Sequence, residues 1–283
     1  MDEPMLPLAR WVTEWVDRLQ AARSGSLDPF TQAIGHAGER AQDALAGLPP
    51  AVAILAFGLI GWWRRGWSLG TFCAAAVAFI YALGFGEPLM VTLAQVTVAT
   101  LLTVIVGLPI GILCGTSRRA AALARPLLDF MQTMPAFVYL IPAAMTFGLG
   151  LLPALLSTVV FALPVIVRLA ALGIREVDRS VAEAAATLGA RPWQVLLRVK
   201  LPAARPAIMA GVSQTIMMAL SMVIIASMVG AGGLGNAVLS AIQRLDVGQG
   251  VASGLCVVLL AMVVDRLAET FATVPAARAE VRA

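Results

Sequence analysis

The chain has 283 residues, of which 60% are hydrophobic and only 13% are charged, and its mean hydropathy is +0.88. Soluble domains carry about 25% charged residues, so this composition excludes an ordinary soluble fold. The net charge of +4 could indicate nucleic-acid binding, but the basic residues stand in short loops between apolar runs, and we expect no nucleic-acid partner.

Residues 1–47 are polar and contain no apolar run long enough to cross a membrane. Within them, apolar residues recur at the spacing of one helical face, with charged residues between them. These apolar residues are Leu8, Trp11, Val12, Trp15, Val16 and Leu19. The pattern predicts an amphipathic helix at a membrane interface, and a helix packed on protein fits it equally well. We expect no signal peptide, because the segment starts acidic and lacks a continuous apolar core.

Seven apolar stretches follow, each near the length of about 20 residues that crosses about 30 Å of hydrocarbon. They lie at about 48–63, 68–85, 89–115, 127–149, 152–172, 206–229 and 249–268. The sequence therefore predicts an all-α polytopic membrane protein with about seven transmembrane helices. We expect peripheral helices over 48–85, a core transmembrane domain over 86–271 and a tail at 272–283.

The positions of the arginines predict the orientation of the chain. If the turn at Arg64 and Arg65 lies in the cytoplasm, the later arginine-rich connections lie there too, including the long loop at 173–205. The opposite orientation would place nearly all of this charge outside, against the positive-inside rule. We therefore expect a multi-pass membrane protein with residues 1–47 outside and the C-terminus in the cytoplasm.

Two glycine patterns lead to different interpretations. Gly107, Gly111 and Gly115 recur at four-residue spacing on one face of the third stretch, which predicts close packing of another helix. The run at 230–235 satisfies GxGxxG, but it follows an apolar helix instead of a strand. We interpret this run as a flexible turn and not as a nucleotide site.

The motifs of common enzyme and cofactor chemistry are missing from the sequence. It contains no GxxxxGK[ST] loop and no HExxH. Cys73, Cys114 and Cys256 each stand alone in an apolar stretch and are interpreted as core residues, and His36 has no second metal ligand nearby. We expect this chain to hold no catalytic residue, no metal and no cofactor.

The loop at 173–205 is the one long polar interruption in the second half of the chain. Residues 178–188 predict a short helix, and Gly189 stands where a left-handed C-cap residue belongs. Pro192 occupies the favoured start of a second helix, which we expect the Leu201-Pro202 pair to close. The sequence thus predicts two short cytoplasmic helices joined by an elbow.

Small side chains at Ala184, Ala185 and Ala186 would let the surface of a partner come close to the first of these helices, and Glu183 offers one charge to orient that partner. The loop therefore predicts a docking surface. A solvated helical hairpin is the alternative, and it explains the glycine and proline but not the alanine face.

The spacing of these residues resembles a known motif. Glu-Ala-Ala at 183–185, Gly189 and Val-x-Leu-Pro at 199–202 are similar to the EAA loop of ATP-binding-cassette importer permeases, with valine where isoleucine is usual. In that family the loop is a coupling helix that fits a cleft of the ATPase subunit. The coupling residues that the resemblance implies are Glu183, Ala184, Ala185, Gly189, Val199, Leu201 and Pro202.

The resemblance also implies a type I importer permease fold and a set of partners. The chain would act as a homodimer with two cytoplasmic ATPase subunits, which carry the ATP and Mg²⁺, and with a separate extracytoplasmic binding protein. ATP-driven closure of the ATPases would switch the permease between outward and inward access.

Similarity to one subgroup extends from about residue 87 to residue 267. The segments at 131–142, 207–217, 226–235 and 244–246 are similar to glycine betaine, proline and choline importer permeases. This implies import of a quaternary-amine osmolyte, whose ammonium group is held best by aromatic faces. The residues expected along the pathway are Gln132, Met134, Phe137, Tyr139, Gln214, Met218 and Ser221. For each of them, ordinary helix packing is the alternative role.

Two other functions remain open at this point. The coupling loop does not identify the cargo, so an importer of methionine, a sulfonate or another small solute carries the same motif. A channel or secondary carrier outside the importer class would need no ATPase.

Overall fold

The computed structural model describes residues 28–272, together with Glu14 and Arg18. Apart from those two residues, the amphipathic helix predicted near the N-terminus lies outside the described residues, and so does the tail beyond residue 272. All regular structure in the described part is helical, which confirms the predicted all-α class.

The described helices are α1 (Asp28–Ala46), α2 (Pro50–Arg65), α3 (Trp67–Ala82), α4 (Gly86–Thr116), α5 (Arg118–Thr133), α6 (Ala136–Phe147), α7 (Leu151–Glu176), α8 (Arg179–Thr187), α9 (Pro192–Val195), α10 (Leu201–Ala226), α11 (Gly233–Arg244) and α12 (Val247–Ala272). A π-helical segment (Leu196–Lys200) joins α9 to α10, and a 3-10 turn (Ser227–Val229) follows α10.

Four helical stretches are long and apolar enough to cross a membrane. They are Gly86–Thr116, Leu151–Glu176, Pro192–Val229 and Val247–Thr270. Two sharply bent pairs, α1 with α2 and α5 with α6, pass the same test, while α3 has only 16 residues, about 24 Å at 1.5 Å per residue. The described residues therefore hold four to six candidate spans, and the predicted number of seven is not established.

The stretch at 127–149 is not one helix, as the sequence suggested, but two helices that meet at 95°. Pro135 has no N–H to continue the helix, and it forces the preceding residue out of the helical region. Accordingly, Met134 is extended, with φ −72° and ψ 132°. The Tyr139 hydroxyl on α6 donates a hydrogen bond to the Met131 carbonyl on α5, so a side chain braces the bend.

The core of the bundle forms where α4, α7 and α10 pack against one another, with α7 making the most extensive contacts to the other two. The α4 face that carries Gly107, Gly111 and Gly115 lies against α7. A Cβ atom added to Gly111 would stand 2.7 Å from the Ala170 Cβ and 3.0 Å from the Val167 carbonyl oxygen. The two backbones approach each other this closely because no side chain separates them.

The hairpin of α2 and α3 packs at the periphery, and its turn is tied to the end of α12. Arg64 donates to the Thr270 carbonyl oxygen at 3.2 Å, and Arg65 forms a 3.4 Å ion pair with Glu269. The arginine at 64 thereby caps a carbonyl in the last turn of α12, where positive charge is favoured.

Residues 230–232 of the glycine run form a turn, as predicted, while residues 233–235 begin α11, and this segment is packed tightly against α4. The Gln95 amide nitrogen donates to the Ala231 carbonyl oxygen at 2.5 Å, and the Leu234 N–H donates to the Thr92 hydroxyl at 2.8 Å. Both α4 side chains are buried. Buried polar groups therefore fix the start of α11 on the core, because each backbone group of the turn left unpaired there would be costly.

Substitution of Gly111 by alanine tests the contact between α4 and α7. The added methyl meets the Val167 backbone carbonyl oxygen, which cannot move aside as a side chain could, so we expect a loss of about 1–3 kcal/mol. Thermal unfolding of the purified full-length chain measures it. Gly254→Ala in α12 is the matched control, since a methyl there meets nothing within 4 Å. Equal stability of the two variants would contradict this packing.

Candidate functional site

The first helix of the 173–205 loop is α8, and its N-terminus is capped by Asp178. The Asp178 carboxylate accepts a 2.8 Å hydrogen bond from the Ser180 N–H. This hydrogen bond, followed by one from the Ser180 side chain, holds the pKa of Asp178 below its usual value. The cap is therefore ionised at neutral pH and would weaken only in acid, as the pH falls through that lowered pKa.

The C-terminus of α8 closes in a Schellman motif around Gly189. The Ala190 N–H donates to the Ala185 carbonyl oxygen at 3.1 Å, and the Gly189 N–H donates to the Ala186 carbonyl oxygen at 3.0 Å. Gly189 has φ +85°, a left-handed conformation that costs a residue with a Cβ about 1–2 kcal/mol. The elbow predicted at this glycine is thus built by backbone hydrogen bonds.

The second half of the loop starts as predicted and then differs from the prediction. Pro192 begins α9, and the Gln194 side chain accepts a 2.8 Å hydrogen bond from the Arg191 N–H. The Leu201-Pro202 pair does not close this helix. The backbone continues from residue 192 to residue 229 as one helical stretch, so the elbow is joined rigidly to a membrane span.

The π-helical segment explains how the chain passes Pro202 without a break. The Leu201 N–H bonds to the Leu196 carbonyl oxygen five residues back, one residue further than in an α-helix. Pro202 then falls in the first turn of α10, where a missing N–H is tolerated. Segments of this kind inside α-helices occur frequently at functional sites.

The segment 178–200, which we call the elbow from here on, exposes apolar side chains that were not among the predicted coupling residues. Leu188 is 89% exposed and Trp193 is 53% exposed, and Val181 and Leu197 are also exposed. These four side chains, called the apolar group below, lie on α8 or at its end and at the start of the helical stretch that continues into a membrane span. Exposed apolar groups of this kind mark contacts with a protein partner or with the membrane.

The predicted coupling residues fall into two groups on this elbow. Glu183 and Ala184 are exposed on α8, Ala185 is partly buried there, and Gly189 is exposed at its end. Val199 lies on the π-helical segment, which packs against α8, and Leu201 and Pro202 lie at the start of α10. Among the described residues, the Glu183 side chain has no hydrogen bond or ion pair. It lines a cleft of about 640 Å³ together with Trp193 and Lys200.

The predicted pathway residues lie on two neighbouring parts of the bundle. Gln132 and Met134 stand at the bend between α5 and α6, and Phe137 is 49% exposed on α6. Tyr139 packs edge-on against Phe161 with ring centroids 6.0 Å apart, so it contributes to the core as well as to the bend.

The remaining pathway candidates share a stripe on α10. Gln214, Met218 and Ser221 follow at intervals of four and three residues, which places them on one helical face. Gln214 and Ser221 are exposed, and Met218 is partly buried. Because α6 contacts α10, the two groups of candidates lie on adjacent helices.

A multi-pass helical bundle with an elbow between two of its candidate spans is the architecture of a membrane transport subunit. The family model described as "Binding-protein-dependent transport system inner membrane component" matches residues 107–274. The chain belongs to this family, which confirms the resemblance seen in the EAA loop. It is a transport subunit, and the family works with ATPase and substrate-binding partners.

Several curated relatives match nearly the whole chain. The glycine betaine/proline betaine transport system permease protein ProW of Escherichia coli (strain K12) is 45% identical over 265 residues, covering 94% of this chain and 75% of that protein. The glycine betaine/carnitine transport permease protein GbuB of Listeria monocytogenes serotype 1/2a (strain 10403S) is 41% identical over 272 residues, covering 95% and 96%.

A solved structure shares the fold. The match is an inward-facing conformation of the MetNI methionine ABC transporter, with a TM-score of 0.59 and 21% identity, covering 64% of this chain and 91% of that one. At this identity the likeness shows the type I importer permease fold and nothing about cargo.

Two substitutions at Gly189 test the geometry of the elbow. Alanine resists the left-handed conformation, whereas asparagine adopts it more readily. We expect Gly189→Ala to speed amide hydrogen exchange at residues 188–190 by about tenfold, as a penalty near 1.4 kcal/mol implies, and Gly189→Asn to change it much less. Identical exchange in the two variants would rule out the Schellman motif.

Proposed function

We propose that this chain is the permease of an ATP-driven importer for glycine betaine or a related quaternary-amine osmolyte, such as proline betaine, carnitine or choline. The observation that carries the proposal is the match to two glycine betaine permeases over 94% and 95% of the chain. That match includes the α5–α6 bend and the α10 stripe. The resemblance to the methionine transporter is confined to the fold, so it gives an importer of methionine or a sulfonate no comparable support.

The elbow supports coupling to a separate ATPase. Its apolar group has Leu188 at the tip and Trp193 beside the cleft, and Glu183 is free to pair with a basic group of the partner. Since the elbow continues as one helix into a membrane span, movement of the bound ATPase is transmitted directly to the helix that carries the pathway stripe. ATP and Mg²⁺ then belong to the ATPase subunit, and this chain needs no cofactor.

The exposed α6 and α10 surfaces support assembly with a second copy. Gln214 and Ser221 are polar and face away from the core of the single chain, an arrangement that is unfavourable against lipid. Pairing two copies across this surface would enclose a polar passage between them. Two ATPase subunits would then bind the two elbows, and a separate binding protein would deliver cargo from the outer side.

The passage residues match the chemistry of a methylated zwitterion. A quaternary ammonium has no N–H to donate, so an aromatic face such as that of Phe137 is a suitable weak contact. Gln132, Gln214 and Ser221 can donate hydrogen bonds to the carboxylate. Thioether contacts from Met134 and Met218 complete a surface that holds the solute weakly, as passage requires.

Uptake by the reconstituted complex of permease, ATPase and binding protein tests the cargo. We expect ATP-dependent uptake of labelled glycine betaine that unlabelled proline betaine or carnitine suppresses and methionine does not. Suppression by methionine alone would show that the cargo is not a quaternary amine. Uptake without the ATPase would show that the protein is a carrier or a channel.

Truncation of Phe137 tests the passage within the same assay. We expect Phe137→Ala to lower the maximal rate of glycine betaine uptake about three- to tenfold, because a cation–π contact is worth about 0.5–1 kcal/mol or more when desolvated. Phe79→Ala is the matched control, since Phe79 on the peripheral α3 is similarly exposed, at 46% against 49%. If both variants transport like the parent, Phe137 does not line the passage.

A further inference from the structure

A cavity lined by three arginines lies between α5, α7 and the end of α4, and none of the predicted coupling or pathway residues lines it. Its volume is about 270 Å³. Its rim carries Arg125 and Asp129 from α5 and Arg168 and Arg175 from α7. The lining also includes small side chains, among them those of Ala121 and Ala171. These small side chains leave room for the guanidinium groups to turn toward a common ligand.

The charges around this arginine cavity do not balance. Arg168 forms a 2.5 Å ion pair with Asp129, which is the only acidic residue among those that line the cavity. Arg175 donates a 2.6 Å hydrogen bond to the Cys114 carbonyl, a neutral group. The Arg125 side chain has no hydrogen bond or ion pair with any other described residue. Two positive charges therefore face the cavity without a counter-ion among its lining residues.

The unbalanced charge is held beside an apolar surface. The outer side of α5 exposes Leu123, Leu127 and Phe130 next to the cavity, and α7 is one of the spanning helices. Arg125 and Arg175 are exposed just outside the apolar stretches 127–149 and 152–172, where a membrane surface can supply an anionic group. Arginine favours phosphate in particular, because its planar fork donates two parallel hydrogen bonds to a pair of phosphate oxygens.

We propose that the arginine cavity binds a phosphate group through Arg125, Arg168 and Arg175. Two sources present this group at the membrane surface: the headgroup of an anionic phospholipid and free phosphate. Basic pockets between membrane helices bind lipid headgroups by the same chemistry. No aromatic residue lines the cavity, so it lacks the contacts that would hold a quaternary ammonium, and it is a site distinct from the transport passage.

Arg125→Gln is the principal test, because it removes a charge without breaking an internal hydrogen bond. The purified full-length chain is titrated with inorganic phosphate against chloride at matched ionic strength, with thermal stability as the readout. In parallel it is placed in nanodiscs of phosphatidylcholine with or without phosphatidylglycerol, and retained lipid is counted by native mass spectrometry. We expect Arg125→Gln to weaken binding about tenfold, the effect of one charge-assisted hydrogen bond. Arg119→Gln, at an exposed arginine outside the cavity, should leave binding unchanged.

Asp129→Asn supplies the reciprocal measurement. It frees Arg168 and removes the only negative charge of the lining, so phosphate or phosphatidylglycerol should bind more tightly than in the parent chain. Binding of phosphatidylglycerol alone identifies the lipid as the source, and binding of both probes identifies a general phosphate site. The proposal is overturned if neither probe binds, or if Arg125→Gln and Arg119→Gln behave alike.

Discussion

The close approach of α4 to α7 is the constraint on which the rest of the structure depends. Lipid offers helices little hydrophobic reason to associate, so they must gain contact area by backbone proximity, and the glycine face of α4 provides it. α10 packs against both α7 and α4, and it carries the elbow at one end and the glycine turn at the other. A shift between α4 and α7 would therefore move both ends of α10.

In this arrangement the elbow is connected rigidly to α10, so a movement of the elbow also moves that helix. The Schellman motif at Gly189 fixes the angle of α8, and the π-helical segment carries the helix past Pro202 without a hinge. At the other end, Gln95 and Thr92 hold the glycine turn on α4. A force applied to the elbow would thus reach the stripe of Gln214, Met218 and Ser221 through a single continuous helix, as the proposed coupling to an ATPase requires.

Sequence patterns predicted the elements that local chemistry determines. The short helix that starts near Asp178, the elbow at Gly189 and the packing face at Gly111 each follow from residue type and spacing alone. The 95° bend did not, because a proline in an apolar stretch either kinks or breaks a helix, and packing of Tyr139 against Phe161 accompanies the break. The arginine cavity was also beyond prediction, since the fold joins residues about 40 to 60 positions apart.

The central claim is that the elbow meets the ATPase subunit, and site-specific crosslinking in the assembled complex tests it most directly. A photoreactive residue in place of Leu188, at the tip of the elbow, is compared with one in place of Leu245, which is similarly exposed between α11 and α12. The account predicts a crosslink to the ATPase from position 188 and none from position 245. A crosslink from position 245, or none from position 188 in a complex that still transports, would contradict it.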